Sequence, residues 1–80
     1  MEELVCMKSK AIFKITKINN EHIGVYFKTN EKKSYLYKTE ITYWSELRKF
    51  FLLNNGEGIN RKIKKDINVK IWKIKENEWK

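Results

Sequence analysis

Side chains that could act as acids, bases or nucleophiles are few and far apart in this sequence. The only histidine, His22, follows an Asn-Asn-Glu segment typical of a turn, and the only cysteine is Cys6. Asp66 is the only aspartate, and the acidic residues show no spacing that resembles a metal-binding loop or a catalytic pair of carboxylates. Residues 56–58, Gly-Glu-Gly, lack the later glycine and the Lys-Ser/Thr pair of a phosphate-binding loop. We therefore expect no enzymatic activity, no metal site and no cofactor.

Basic charge is the strongest chemical signal in the sequence. The 80 residues include 18 Lys+Arg against 10 Asp+Glu, a formal net charge of +8. Seven of the basic residues and one acidic residue lie within residues 59–75, which gives that segment a net charge of +6. Lysine neutralises phosphates without reading bases, and only Arg48 and Arg61 could make the arginine–guanine contact common in specific recognition. The composition therefore predicts binding to nucleic acid with low sequence specificity.

Tyrosines are interleaved with lysines around the predicted second hairpin, residues 26–38. A flat aromatic ring on a sheet can stack on an unpaired base, whereas lysines contact the backbone of any strand. The combination favours single-stranded or structured RNA or DNA as the partner. The predicted nucleic-acid-binding residues are Arg61, Lys62, Lys64, Lys65, Lys70, Lys73, Lys28, Lys33, Tyr26, Tyr35 and Tyr37.

A second class of function fits the same basic surface. The alternative hypothesis is a small phage-type or mobile-element protein that binds and inhibits or modulates a host protein, such as a nucleic-acid-processing defence enzyme. Strong positive charge argues against mimicry of DNA but suits an acidic or RNA-bound surface. An exposed strand edge on a small sheet would in addition allow a homodimer.

A chain of this length forms at most one domain, with a thin core. A single cysteine cannot form an intramolecular disulfide, which indicates a reducing compartment such as the cytoplasm. The longest apolar runs are the four-residue segments 4–7 and 50–53, so we expect neither a signal peptide nor a membrane span. We therefore predict one small basic domain over residues 1–80.

Alternation with a period of two predicts an antiparallel meander in the first half of the chain. Residues 11–18 are rich in β-branched side chains, residues 23–27 alternate between apolar and other side chains, and residues 34–38 form a third such segment, with polar turns between them. Residues 2–9 show no clean period and fit either a leading strand or a short helix.

Helical spacing replaces this alternation after the predicted sheet. Tyr43, Leu47, Phe50 and Phe51 recur at i, i+4, i+7 and i+8, which predicts an amphipathic helix. The Asn-Asn-Gly of residues 54–56 tolerates left-handed backbone and is typical of a helix end.

Two further elements are predicted in the C-terminal third. Isoleucines at every fourth position from Ile59 predict a short basic helix, and residues 67–75 alternate again, with a change of apolar face between Ile71 and Trp72 that implies a bulge or a strand covered on both faces. The fold class is therefore α+β, with an antiparallel sheet of three to four strands packed on one amphipathic helix, a second short basic helix and a C-terminal strand. The tail after residue 75 should fray unless Trp79 docks. The expected core residues are Val25, Phe27, Leu47, Phe51 and Val69, with Trp44 and Trp72 also interpreted as core.

The register of the second hairpin decides whether its tyrosines are exposed. With the turn centred on residues 30–31, Val25 pairs with Leu36 on the core face. The outer face then carries Tyr26 and Tyr35, with Tyr37 as a further candidate, beside Lys28 and Lys33. With a loop one residue longer, both tyrosines move to the core beside Val25, because a one-residue slip exchanges the two faces of a strand. The sequence allows both registers.

The middle of the chain, residues 11–65, contains short motifs in a fixed order. They are Ile23-x-Val25-x-Phe27, then Tyr35-x-Tyr37, then Ile41 before the helix with Leu47, and Gly56-x-x-x-Asn60-x-x-Ile63. In these motifs the chain resembles the KTSC domain, a short module named for its occurrence at the C-terminus of some lysyl-tRNA synthetases and also found alone in bacteria and phages. The resemblance implies a small α+β fold and contact with nucleic acid, and it implies no catalytic residue. The proline that usually begins the helix of that family is absent here, and the strand predicted over residues 67–75 is additional.

Overall fold

Five strands and two helices make up the structure, a computed structural model that describes residues 2–54 and 56–78 and, at 30–33 and 75–78, the backbone alone. One antiparallel sheet has the order β1-β2-β3-β4-β5, and the two helices connect β4 to β5. The α+β class and both helices are confirmed, whereas the sheet has five strands because residues 3–5 add an edge strand beside β2. The elements are β1 (Glu3–Val5), β2 (Ile12–Asn19), β3 (His22–Phe27), β4 (Asn30–Thr39), α1 (Tyr43–Asn54), α2 (Ile59–Asp66) and β5 (Ile71–Glu78).

Both helices pack on the same face of the sheet. α1 buries Tyr43, Trp44 and Leu47, and α2 buries Ile59 and Ile63. These side chains form one core cluster with strand residues that share a face. Neither of the two helices, within the described part of the chain, has the length and apolar character needed to cross a membrane. The strand residues in the cluster are Leu4, Ile12, Ile15, Ile23, Val25, Tyr37 and Ile71.

The opposite face of the sheet carries neither helix, and we call it the open face. Since neighbouring residues of a strand point to opposite faces, the pairing of the strands shows which side chains lie there. Three of them in the middle of this face are small and buried, namely Thr16, Gly24 and Ser34. The described side chains of the open face are Glu3, Val5, Lys14, Thr16, Ile18, His22, Gly24, Tyr26, Ser34, Leu36, Lys38 and Trp72.

The hairpin between β3 and β4 has the register that directs Tyr35 and Tyr37 towards the core. Val25 pairs with Tyr35, and Phe27 pairs with Asn30 across a two-residue turn. The register then shifts between Phe27 and the preceding residue of β3. A bulge beside a short turn, and not a longer loop, therefore exchanges the faces of β4.

The predicted core is confirmed at Val25 and Leu47, both fully buried. Phe27 and Phe51 are half-buried and pack against the core. The prediction for Val69 is wrong, since this side chain is 61% exposed. It lies in a turn whose amides return to the end of α2, with its own N–H donating to the carbonyl of Asp66, so the last strand begins later than the alternation predicts.

Strand β5 also corrects two expectations about the C-terminal third. The register between β4 and β5 shifts between the partners of Leu36 and Tyr37, which places the bulge at Ile74, three residues after Ile71. The ordinary alternation at the start of β5 then buries Ile71 and leaves Trp72 40% exposed, so the interpretation of Trp72 as core is wrong. The strand continues to Glu78, beyond residue 75, and Trp79 lies outside the described residues.

Candidate nucleic-acid interface

Lys62 and Lys70, two of the predicted contacts, belong to a charged network between the helices. The Nζ atom of Lys62 donates to Oε2 of Glu46 at 2.7 Å and to Oδ2 of Asp66 at 3.1 Å. The Nζ atom of Lys70 donates to Oε1 of Glu46 at 2.8 Å, and the buried hydroxyl of Tyr43 donates to Oδ2 of Asp66 at 2.9 Å. Each ammonium therefore has a carboxylate partner within the protein.

The electrostatics of this network are those of a structural cluster. Hydrogen bonds from Lys62 and Lys70 lower the pKa of Glu46 below its usual value. Burial, followed by the hydrogen bond to Asp66, raises the pKa of Tyr43 far above its usual value, so the phenol stays protonated. Two ammonium groups facing two carboxylates add little net field. Lys62 and Lys70 therefore stabilise the contact between the helices, and the candidate interface consists of other cations.

Lys28 is also engaged by the protein itself. Its ammonium donates to the carbonyl oxygen of Met7 at 3.4 Å and to that of Ser9. The hydroxyl of Ser9 in turn accepts hydrogen bonds from the amides of Ala11 and Ile12. Lys28 thus holds the loop between β1 and β2 through its ammonium group, although the residue is exposed.

The predicted tyrosines occupy both faces of the sheet. Tyr37 is only 4% exposed and forms part of the core, so its ring is not presented at the surface. Tyr35 is half-buried on the same face, where its ring meets Phe27 edge-on at 5.2 Å between centroids and lies 4.5 Å from the ammonium of Lys73. Of the three, only Tyr26 lies on the open face.

Lys14, which the sequence did not single out, accompanies Tyr26. Its ammonium lies 4.8 Å from the centroid of the Tyr26 ring and 3.6 Å from a carboxylate oxygen of Glu3. The side chain of Lys33 lies outside the described residues.

A groove about 430 Å³ in volume collects cations from two distant parts of the chain, and we call it the basic groove. One wall is the loop between β1 and β2, which supplies Lys8 and Lys10. The other is α2, which supplies Arg61 and Lys64. All four side chains are exposed, and Glu57 is the one acidic residue among those that line the groove.

Helix α2 exposes its cations because its apolar side is buried in the core. Ile59 and Ile63, four residues apart, are both buried, which turns Arg61, Lys64 and Lys65 towards solvent. A larger adjoining groove, of about 790 Å³, shares Arg61 with the basic groove and includes Lys65. Lys62 and Lys70 also line the larger groove, so the predicted α2 cluster is brought together at the two adjoining grooves, although the ammonium of Lys62 is paired with Glu46 and Asp66.

The wall of the basic groove opposite α2 is positioned by close packing between the loop after α1 and the loop between β1 and β2. Gly56 has a φ of 82°, in the left-handed region, and a Cβ atom placed there would lie 3.3 Å from the Cα atom of Cys6. Since the loop after α1 rests directly on the start of the β1–β2 loop, Lys8 and Lys10 come to lie beside α2. Sequence reasoning missed these two lysines because their segment has no period and lies about 50 residues from α2, so only the tertiary fold brings them there.

The isolated reactive side chains do not join the groove. Cys6 is fully buried, and burial raises the pKa of its thiol to about 11, which keeps it protonated at neutral pH. His22 lies at the β2–β3 turn, where its Nδ1 atom is 2.9 Å from Oδ1 of Asn19. In the described ranges, no three His, Cys, Asp or Glu side chains are grouped closely enough to bind a metal ion.

No protein-family model, curated protein or solved structure matches the chain. The resemblance to the KTSC domain therefore stays a prediction.

Proposed function

We propose that this protein binds the phosphate backbone of RNA or DNA without catalysis and with low sequence specificity. The observation that carries the proposal is the basic groove, where Lys8, Lys10, Arg61 and Lys64 line one depression and face a single carboxylate, that of Glu57. Cations that line one groove raise the local concentration of a polyanion and release its counterions on binding.

The composition of the groove accounts for the low specificity. Three of its four cations are lysines, which neutralise a phosphate as point charges. Arg61 alone has the planar fork that could contact a guanine edge. Contacts of this kind fix the position of the backbone and leave the base sequence largely unread.

A pair of charge reversals tests the location of the site. Arg61→Glu combined with Lys64→Glu changes the net charge by the same amount as Arg48→Glu combined with Lys49→Glu, and the latter residues are exposed cations on α1 away from the groove. Fluorescence anisotropy with labelled single-stranded and duplex oligonucleotides compares the two variants. We expect the groove variant to lose about 10-fold or more in affinity for both probes and the α1 variant to lose much less, since direct phosphate contacts outweigh the general field.

Two results would overturn this location. If both variants lose affinity equally, only the net charge matters and the groove is not the site. If the wild-type protein binds neither probe, the domain does not bind nucleic acid through any surface.

The second candidate function, modulation of a host protein, is favoured by exposed apolar side chains outside the groove. Met7, Leu52 and Leu53 are 83%, 65% and 85% exposed. Copurification from native lysate with and without nuclease separates the two candidates. A nucleic-acid binder loses its partner on digestion, whereas a protein modulator retains one stoichiometric polypeptide.

A further inference from the structure

Trp72 is a large aromatic side chain on the side of the sheet that carries no helix. Its neighbour in sequence, Ile71, is buried in the core, and Trp72 itself is 40% exposed on the open face. On β4 its direct cross-strand partner is Lys38, which is exposed and is paired in turn with His22 on β3. An exposed indole and an ammonium group therefore stand on adjacent strands, where side chains directly opposite each other are close neighbours.

A second pair of the same kind lies elsewhere on the open face. The ammonium of Lys14 is 4.8 Å from the ring centroid of Tyr26. Between the two pairs lies Gly24, which is buried, since the side chains of Ile18 and Tyr26 lie 3.7 and 3.8 Å from the position of a Cβ atom there. The open face thus has an aromatic ring and a lysine at two places, with small buried residues between them.

We infer that the open face binds unpaired bases of single-stranded nucleic acid, with Trp72 as the stacking platform and Lys38 as a contact to the adjoining phosphate. This inference rests on the proposed function and adds a second site, on the other side of the sheet from the helices. A base offers a flat apolar plane linked to a negative charge, which is the combination that an indole beside an ammonium fits.

The charge of the open face favours single-stranded nucleic acid over a second copy of the chain as the molecule that binds there. Each copy has a net charge of +8, and packing two open faces together would bring Lys14 and Lys38 of both copies into the interface. Glu3 is the one acidic side chain among the described residues of this face, and it is already 3.6 Å from Lys14. A polyanion relieves the repulsion that a homodimer would create.

Three probes of roughly equal length, about 15 nucleotides, separate stacking from charge. They are an oligothymidine, a strand with the same phosphates but abasic sugars, and a duplex. The test variant is Trp72→Leu, which keeps an apolar side chain, and the control is Leu53→Ala, which removes an exposed apolar side chain from α1. Circular dichroism verifies that both variants fold.

Loss of one base stack should weaken oligothymidine binding by about 10-fold or more in Trp72→Leu and leave the abasic and duplex affinities unchanged. Trp72→Phe should restore most of the loss, and Leu53→Ala should change none of the three affinities. The groove reversals Arg61→Glu and Lys64→Glu should weaken all three probes, and their effect should add to that of Trp72→Leu because the two sites share no contact.

Each other outcome overturns the inference in a recognisable way. If the probes bind and respond to the groove reversals but not to Trp72→Leu, the open face binds no bases while the proposed function stands. If no probe binds, both fail together. If Trp72→Leu only converts a dimer into a monomer by light scattering, a second copy covers the face.

Discussion

The ammonium of Lys62 lies 2.7 Å from a carboxylate oxygen of Glu46, so that residues 16 positions apart join α2 to α1. Only 16% of the Lys62 side chain is exposed, and the same ammonium also contacts Asp66. The basic helix therefore carries cations of two kinds. Lys62 connects the helices, whereas Arg61 and Lys64 face the basic groove.

Replacing Lys62 should destabilise the fold. Lys62→Met leaves the largely buried carboxylate of Asp66 without its cation, and we expect the free energy of unfolding to fall by about 1.5–3 kcal/mol, the usual range for hydrogen bonds to charged groups. Lys64→Met, on the exposed side of the same helix, should change stability by no more than about 0.5 kcal/mol. Urea unfolding followed by circular dichroism measures both, and equal effects would contradict the division of roles.

The same network predicts how stability depends on pH. The pKa of Glu46 lies below its usual 4.5 because Lys62 and Lys70 donate hydrogen bonds to it. The folded state therefore binds this proton less readily than the unfolded state, so the stabilisation is complete above the unfolded pKa and disappears as pH falls through the lower folded pKa. Glu46→Gln should be less stable than wild type by about 0.5–1 kcal/mol at neutral pH, a size typical of a partly exposed pair.

The difference in stability between wild type and Glu46→Gln should narrow as the pH is lowered below about 4.5. It should vanish once the wild-type carboxylate is protonated in both the folded and the unfolded state. Thermal unfolding of the two proteins across this pH range measures the gap. A difference that stays constant down to acid pH would show that charge on Glu46 is not what stabilises the helices.

The apolar face of α1 gives a direct comparison of two leucines. Leu47 is fully buried, and Leu47→Ala should lower the free energy of unfolding by about 2–5 kcal/mol. Leu53 is 85% exposed, and Leu53→Ala should change it by at most about 0.5 kcal/mol. Phe51, which is half-buried, should give an intermediate loss on truncation to alanine. Chemical denaturation of the three variants ranks them, and a silent Leu47→Ala would contradict the packing of α1.

Gly56 should tolerate a side chain poorly. Alanine there would have to adopt a φ near 82° and place its Cβ atom 3.3 Å from the Cα atom of Cys6. We expect Gly56→Ala to cost about 1–2 kcal/mol through backbone strain and crowding. Gly24→Ala, where the added carbon meets its neighbours at 3.7 Å or more, should cost less. A melting temperature for Gly56→Ala at or above that of Gly24→Ala would contradict this packing.

Local patterns predicted both helices and the strands after β1, whereas β1 itself and much of the site depend on tertiary structure. The spacing of Tyr43 and Leu47 predicted α1, and that of Ile59 and Ile63 predicted α2, because helical periodicity depends on residues that are close in the sequence. The faces of β4 depended on a bulge beside the hairpin turn, which alternation alone does not determine.

Local patterns did not predict the composition of the site for three reasons. Lys8 and Lys10 reach α2 only because two loops pack together, and Lys62 is removed from the surface by an acid on another helix. Trp72 is exposed because the strand pairs with β4 in a register that keeps Ile71 inside. All three features depend on contacts between segments that are distant in the sequence. The spacing of residues within a short segment does not reveal such contacts.

The salt dependence of binding tests the central claim most directly. If the four cations of the basic groove each neutralise one phosphate of a single strand, log affinity should fall with log salt at a slope of roughly −3, since each contact contributes about −0.7. Arg61→Ala combined with Lys64→Ala should reduce the slope to roughly −1.5, while Arg48→Ala combined with Lys49→Ala should leave it unchanged. A flat response, the same slope for both variants, or wild-type binding weaker than about 100 µM at roughly 50 mM salt would contradict the groove as a nucleic-acid site.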